Sequence, residues 1–172
     1  MIDTRLKQIS LILLDVDGVL TTGQVIYNDA GQETKVFNVR DGLGIRMLME
    51  AGLQVGIVTG RRSMALVHRC RNLGIHLLKD GVRDKAAALE SILKETGVTA
   101  AHTAFVGDDL PDLPIMRRVG VPMAVGDAHD QVKQVAVLTT RARGGCGAVR
   151  EISERILKAR GDWEMLIHRL FP

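Results

Sequence analysis

Aromatic residues are scarce, with one Trp, one Tyr and three Phe making up 3% of 172 residues. Single-strand nucleic-acid binders need aromatic stacking platforms, so that class is disfavoured despite a formal charge of +3 and a pI near 9.1. There are only two cysteines, Cys70 and Cys146, far apart and without a CxxC pattern, so neither a disulfide framework nor a zinc site is expected. His68, His76, His102, His129 and His168 show no metal-ligand spacing, and none is assigned a catalytic role. No apolar run approaches the roughly 20 residues of a membrane span. The first residues, Met1 to Lys7, lack the apolar core of a secretory signal, so the expected location is cytoplasmic. No internal repeat, low-complexity tract or interdomain linker interrupts the chain.

What remains is the composition of one compact domain. Hydrophobic residues make up 46% and charged residues 25%, and 172 residues suffice to bury a single sheet with helices on both faces. Residues 1–172 are therefore expected to form one domain. Short apolar strands alternate with helices, which predicts a parallel sheet with right-handed crossovers.

The strands are expected at Leu11 to Leu14, Leu53 to Thr59, Ile75 to Leu78, Thr103 to Val106, Val121 to Val125 and Val135 to Leu138. Residues 24–38 read as a small inserted hairpin, Val25 to Tyr27 and Lys35 to Phe37, turning through Asn28 to Gly31. Helices follow: one capped by Asp41 and ended by Gly52, one reaching about Asn72 before Gly74, and one from Asp84 to about Thr96 stopped near Gly97. Pro111 suits a helix start, and two more helices are expected from Gly147 to about Ala159 and from Asp162 to about Leu170.

The first strand ends in Asp15-Val-Asp17-Gly18. Two residues apart on an extended segment, the carboxylates of Asp15 and Asp17 leave on one side and can meet one ligand or cation. In open α/β sheets ligands gather at the carboxyl ends of strands. Thr59, Lys85 and the pair Asp108 and Asp109 fall at that same edge. Each alone would read as a cap, a turn residue or a solvated charge; their ordered occurrence at successive strand-loop-helix junctions reads as a phosphate site.

This set resembles the haloacid-dehalogenase superfamily of phosphatases, matched as DVDGVLT from Asp15 to Thr21, Thr59, Lys85 and GDDLPD from Gly107 to Asp112. The resemblance implies a Rossmann-like three-layer α/β sandwich around a central parallel sheet. Asp15 would be the nucleophile that becomes an aspartyl-phosphate, and Asp17 the acid for the leaving alcohol and the base for water. Thr59 and Lys85 would complete the catalytic set. Mg2+ would be held by Asp15, the backbone carbonyl of Asp17 and Asp108, with Asp109 and Asp112 behind them orienting a bound water or Lys85; hard oxygen donors suit that ion.

Superfamily members usually carry a cap domain, yet here the intervals before Thr59 and between Thr59 and Lys85 are too short for one. Neighbouring subunits are expected to cover the site. The hairpin, NVRDG from Asn38 to Gly42, TGR from Thr59 to Arg61, and GGCGAVRE from Gly144 to Glu151 resemble the capless 3-deoxy-D-manno-octulosonate 8-phosphate phosphatase family, Mg2+-dependent homotetramers of lipopolysaccharide synthesis. That resemblance implies substrate contacts by Asp17, Asn38, Val39, Arg40, Asp41, Gly42, Arg46, Gly60, Arg61, Arg69 and Lys85. Guanidinium groups suit the carboxylate of a sugar acid.

Two positions depart from the family pattern: Cys146 stands where an arginine is often found, and Lys79-Asp80 where a glutamine commonly precedes the glycine. Related phosphatases for nine-carbon keto acids tend to carry Glu after TGR; Arg62 occupies that place here and favours the eight-carbon substrate. Three readings compete. One is a phosphatase for another keto sugar acid. The second is a phospho-accepting receiver, which would place its Asp on a middle strand. The third is a silent assembly subunit, against which the full set of motif residues argues.

Overall fold

The computed structural model describes residues 2–172. Its strands are β1 (Leu11–Leu14), β2 (Ile26–Tyr27), β3 (Glu33–Thr34), β4 (Gln54–Val58), β5 (Leu77–Lys79), β6 (Thr103–Gly107), β7 (Val121–Ala124) and β8 (Leu138–Thr139). Every residue of β1, β6 and β7 is buried, the pattern of strands covered on both faces. The six-stranded sheet runs β5-β4-β1-β6-β7-β8 and is parallel throughout. β1 lies near its centre: Leu14 is in register with Ile57 of β4 and Val106 of β6, so the loops after these strands open at one edge. Strand order changes direction across β1, and the motif carboxylates follow it.

The helices are α1 (Ile2–Lys7), α2 (Val39–Glu50), α3 (Met64–Leu73), α4 (Lys85–Thr96), α5 (Leu113–Met116), α6 (Asp130–Val135), α7 (Ala148–Arg160) and α8 (Trp163–Leu170). They flank the sheet in two groups. α2 packs on α7, which also meets α1 and α8, while α5 joins α4 and α6 beside β6 and β7. This is the expected three-layer α/β architecture. Helix stops follow the glycines: Gly74 and Gly97 are left-handed caps at φ 80° and 70°.

Three local expectations are corrected, and one helix lies outside them. α2 is capped by Asn38, whose side chain accepts from the Arg40 N–H, and not by Asp41. Asp41 is buried, and its carboxylate accepts from the N–H groups of Gly147 at 3.2 Å and Arg150 at 2.8 Å, so it caps α7 from across the helical layer. Gly147 has no side chain to do this for its own helix. In the hairpin, Asn28 accepts from the N–H groups of Ala30 and Gln32 and closes a tight loop. This places Glu33 opposite Tyr27, so Lys35 to Phe37 leave the ladder and lead back to α2. Val135 ends a short helix and does not begin the last strand; α1 was not anticipated, because its six residues carry a single buried side chain, Leu6.

Replacing Asp41 with Ala removes the acceptor from two helix-start donors in a buried setting. The expected loss is about 1–3 kcal/mol of stability. Urea unfolding measures it, and an unchanged midpoint would refute this capping role.

Candidate active site

A cavity of about 340 Å3 opens at the carboxyl edge of the sheet, lined among others by Asp15, Asp17, Thr59, Gly60, Arg61, Arg83, Lys85, Asp108, Asp109 and Asp112. Lys85 starts α4, directly after Asp84 caps it by accepting from Ala86 and Ala87. Its buried ammonium lies 3.0 Å from Asp15 Oδ1 and 2.5 Å from Asp112 Oδ1. Asp112 is wholly engaged, since its Oδ2 accepts from the N–H groups of Asp108 at 2.9 Å and Asp109 at 3.4 Å. Asp109 itself caps the short 3-10 turn Leu110–Asp112, accepting from Leu110 at 2.8 Å.

Carboxylate oxygens of Asp15, Asp108 and Asp112 all lie within 4.8 Å of one another, with only Lys85 paired among them. The electrostatic consequence is direct. Burial, then the charges of Asp112, Asp15 and Asp109, push the Asp108 carboxyl up to about 8. Burial and Asp112 push Asp15 up to about 6 against the pull of Lys85. Burial alone would lower Lys85, but its two carboxylate partners outweigh that and hold it above its ordinary value. Asp15 and Asp108 are thus hard oxygen donors in a cluster short of positive charge, which is the chemistry of a divalent-cation site. Asp112 faces the cluster but is already committed to Lys85 and the loop.

Asp17 lines the same cavity but stands outside the cluster of Asp15, Asp108 and Asp112. Lys35 from the hairpin connection contacts its Oδ1, and Arg61 Nε is 3.8 Å from its Oδ2. That Oδ2 is buried with no hydrogen-bond partner. Arg61 Nη2 also donates to Glu33 at 2.9 Å and to the Tyr27 hydroxyl at 3.1 Å. Thr59 is buried, and its backbone is tied to Lys79 and Val82.

The loop after β1 is shaped by glycines. Gly18 has φ 89°, and a Cβ there would stand 1.9 Å from Asp108 Oδ2. Gly144 approaches so closely that its Cβ would sit 1.6 Å from the Gly18 carbonyl oxygen, and the Gly145 N–H donates to Val19 O at 2.9 Å. Glu151 accepts from the N–H groups of Arg141 and Ala142 and steadies the same loop. The GGCGAVRE segment therefore buttresses the Asp15 loop, while Cys146 is exposed.

The remaining expected substrate residues lie apart from this cavity. Val39, Gly42, Arg46 and Arg69 line a shallow groove between α2 and α3. Arg46 donates to Asn72 O at 2.5 Å and Arg69 to Asn38 O at 3.2 Å; Arg40 is exposed, and Asp41 is occupied by α7. From the chain's own insert, Lys35 contacts Asp17, and Tyr27 and Glu33 accept from Arg61; Asp17 and Arg61 both line the cavity. Sequence reading missed Lys35 and Arg83. Arg83 adjoins Asp84-Lys85 and was legible from that loop; Lys35 carries no signal of its own.

A parallel α/β sheet with a carboxylate cluster, a lysine and a buried threonine at its carboxyl edge defines a phosphate-handling hydrolase site. Comparison with known proteins agrees. Residues 74–149 match the haloacid dehalogenase-like hydrolase family. The Haemophilus influenzae 3-deoxy-D-manno-octulosonate 8-phosphate phosphatase KdsC is 45% identical over 91% of this chain and 87% of its own length. The Escherichia coli K12 enzyme of the same name is 42% identical over 91% and 84%. The Moraxella catarrhalis phosphatase, solved with magnesium, phosphate and KDO, superposes with a TM-score of 0.96 at 41% identity, covering 98% of this chain and 97% of that one. The chain belongs to the 3-deoxy-D-manno-octulosonate 8-phosphate phosphatase family of haloacid dehalogenase-like hydrolases.

Without a cation, the folded protein holds protons on Asp15 and Asp108 that the unfolded chain releases near pH 4. Its stability therefore falls as pH rises from about 4 to about 8. Thermal denaturation in chelator should show this fall, and Asp108→Asn should flatten its upper half. A melting temperature that climbs steadily to pH 8 would contradict the assignment.

Proposed function

We propose that this chain hydrolyses 3-deoxy-D-manno-octulosonate 8-phosphate to the free sugar acid and phosphate, as a Mg2+-dependent cytoplasmic enzyme of lipopolysaccharide synthesis. The observation that carries the reading is the Lys85-bridged carboxylate cluster beside Asp17 in a family member. No helix among the described residues is long and apolar enough to cross a membrane. Asp15, Asp108 and the Asp17 carbonyl would hold Mg2+, with Asp112 behind them; bound there, the ion offsets phosphoryl charge and polarises the ester.

Asp15 attacks phosphorus with one carboxylate oxygen while Lys85 holds the side chain in place. Asp17 protonates the departing alkoxide, and the P–O ester bond breaks to leave an aspartyl-phosphate. Water then attacks that phosphorus, Asp17 takes its proton, and the bond to Asp15 breaks. Thr59, Lys85 and the N–H groups of the Asp17-Gly18 turn surround the non-reacting oxygens. Asp109 and Asp112 order the loop that carries Asp108.

For the sugar acid carboxylate we assign Arg61 within the cavity, and Arg46, Arg69 and the Asn38 to Gly42 segment from a neighbouring copy in a homotetramer. The separation of this groove from the cavity supports that division. So does the exposure of Ile26, Tyr27, Val36, Val39 and Met64 around the insert.

Phosphate release with Mg2+, comparing the eight-carbon substrate with a nine-carbon 2-keto-3-deoxy acid 9-phosphate and simple sugar phosphates, tests the reading. The eight-carbon ester should be preferred and EDTA should abolish release; preference for another acid transfers the substrate assignment, and no metal-dependent release overturns the function. Asp15→Asn should be inactive yet folded. Co-expressed with Arg69→Ala chains, it should regain activity in mixed oligomers, whereas no recovery would place the arginine groove outside catalysis.

A further inference from the structure

We infer that Lys35 is a positioning residue that fixes which oxygen of Asp17 transfers the proton. This rests on the reading of Asp17 as the acid and base. The Lys35 side chain is 2% exposed, although Val36 beside it is 66% exposed and Tyr27 on the same insert 59%. Burying an ammonium on a surface insert is unfavourable unless it is paired. Lys35 is paired twice, with Asp17 Oδ1 and with Glu33 Oε1 at 3.2 Å. Glu33 in turn accepts from Arg61, so the insert is anchored to the loops after both β1 and β4. Strands of two residues each do not hold such an insert in place unaided.

A carboxylate can present either oxygen by rotating about its last bond. With Oδ1 held by Lys35, Oδ2 is the oxygen that makes no hydrogen bond, with Arg61 Nε 3.8 Å away. In the first half-reaction the Asp15 to phosphorus bond forms, the ester P–O bond breaks, and the proton on Asp17 Oδ2 passes to the alkoxide. Lys35 exchanges no atom or proton. It keeps Oδ2 aimed at the place where that proton is needed.

The test uses the full chain with Mg2+ and a series of substituted phenyl and simple alkyl phosphates, which share the phosphoryl group and lack the sugar acid. A 4-nitrophenyl leaving group departs without a proton, whereas an alkyl alcohol needs one. Lys35→Met should lower kcat/KM for the alkyl ester about 10²-fold more than for the 4-nitrophenyl ester. The dependence on leaving-group pKa should steepen as it does in Asp17→Asn, and Lys35→Arg should restore most of the wild-type slope. An equal loss across the series in both Lys35 variants would make Lys35 an anchor of the insert or of phosphate and overturn the proposal. If Asp17→Asn itself leaves the slope unchanged, the reading of Asp17 fails, and the role of Lys35 with it.

Discussion

The Lys85 ammonium between Asp15 and Asp112 is the interaction on which the site depends. It joins the end of β1, the start of α4 and the loop after β6, three elements distant in sequence. Buried ion pairs of this kind are seldom net stabilisers, because desolvating both partners offsets their attraction. Removing one partner is another matter, since it strands a buried charge at about 3–5 kcal/mol. The arrangement is therefore explained by what it holds: Asp15 pinned by one oxygen, and a loop that brings Asp108 within 4.8 Å of it.

Around that bridge the backbone is arranged for close approach. Gly18 leaves room for Asp108, and Gly144 lies against the Gly18 carbonyl where no side chain fits. Asp41 belongs to the same scheme at one remove: it ties α2 to the start of α7, the helix that follows the supporting loop. Much of what marks the family in sequence is thus scaffold that sets the position of the Asp15 loop.

The lining of the cavity was more legible in the sequence than the scaffold was. Asp15, Asp17 and Thr59 follow strand ends and Lys85 starts the helix after β5, and the topology brings these junctions together. Of the two residues expected to orient a bound water or Lys85, Asp112 pairs with Lys85 and Asp109 caps the turn beside it. Asp41 misled, because a carboxylate near a helix start suggests a local cap, and nothing local reveals that α7 lies within its reach. Lys35 was invisible for a similar reason. Its role follows from the hairpin register set by Asn28, which frees residues 35–37 from the ladder. Arg46 and Arg69 matched the family pattern, but their groove lies apart from the cavity, so their use depends on how copies associate.

The central claim is that phosphate passes through Asp15, and trapping it tests this most directly. The enzyme with Mg2+ would be quenched in acid during turnover of 3-deoxy-D-manno-octulosonate 8-phosphate, reduced with borohydride and mapped by peptide mass spectrometry. The account predicts homoserine at position 15, formed only during turnover and absent when metal is chelated. Rapid turnover with Asp15 unmodified throughout would contradict it and require direct attack by water.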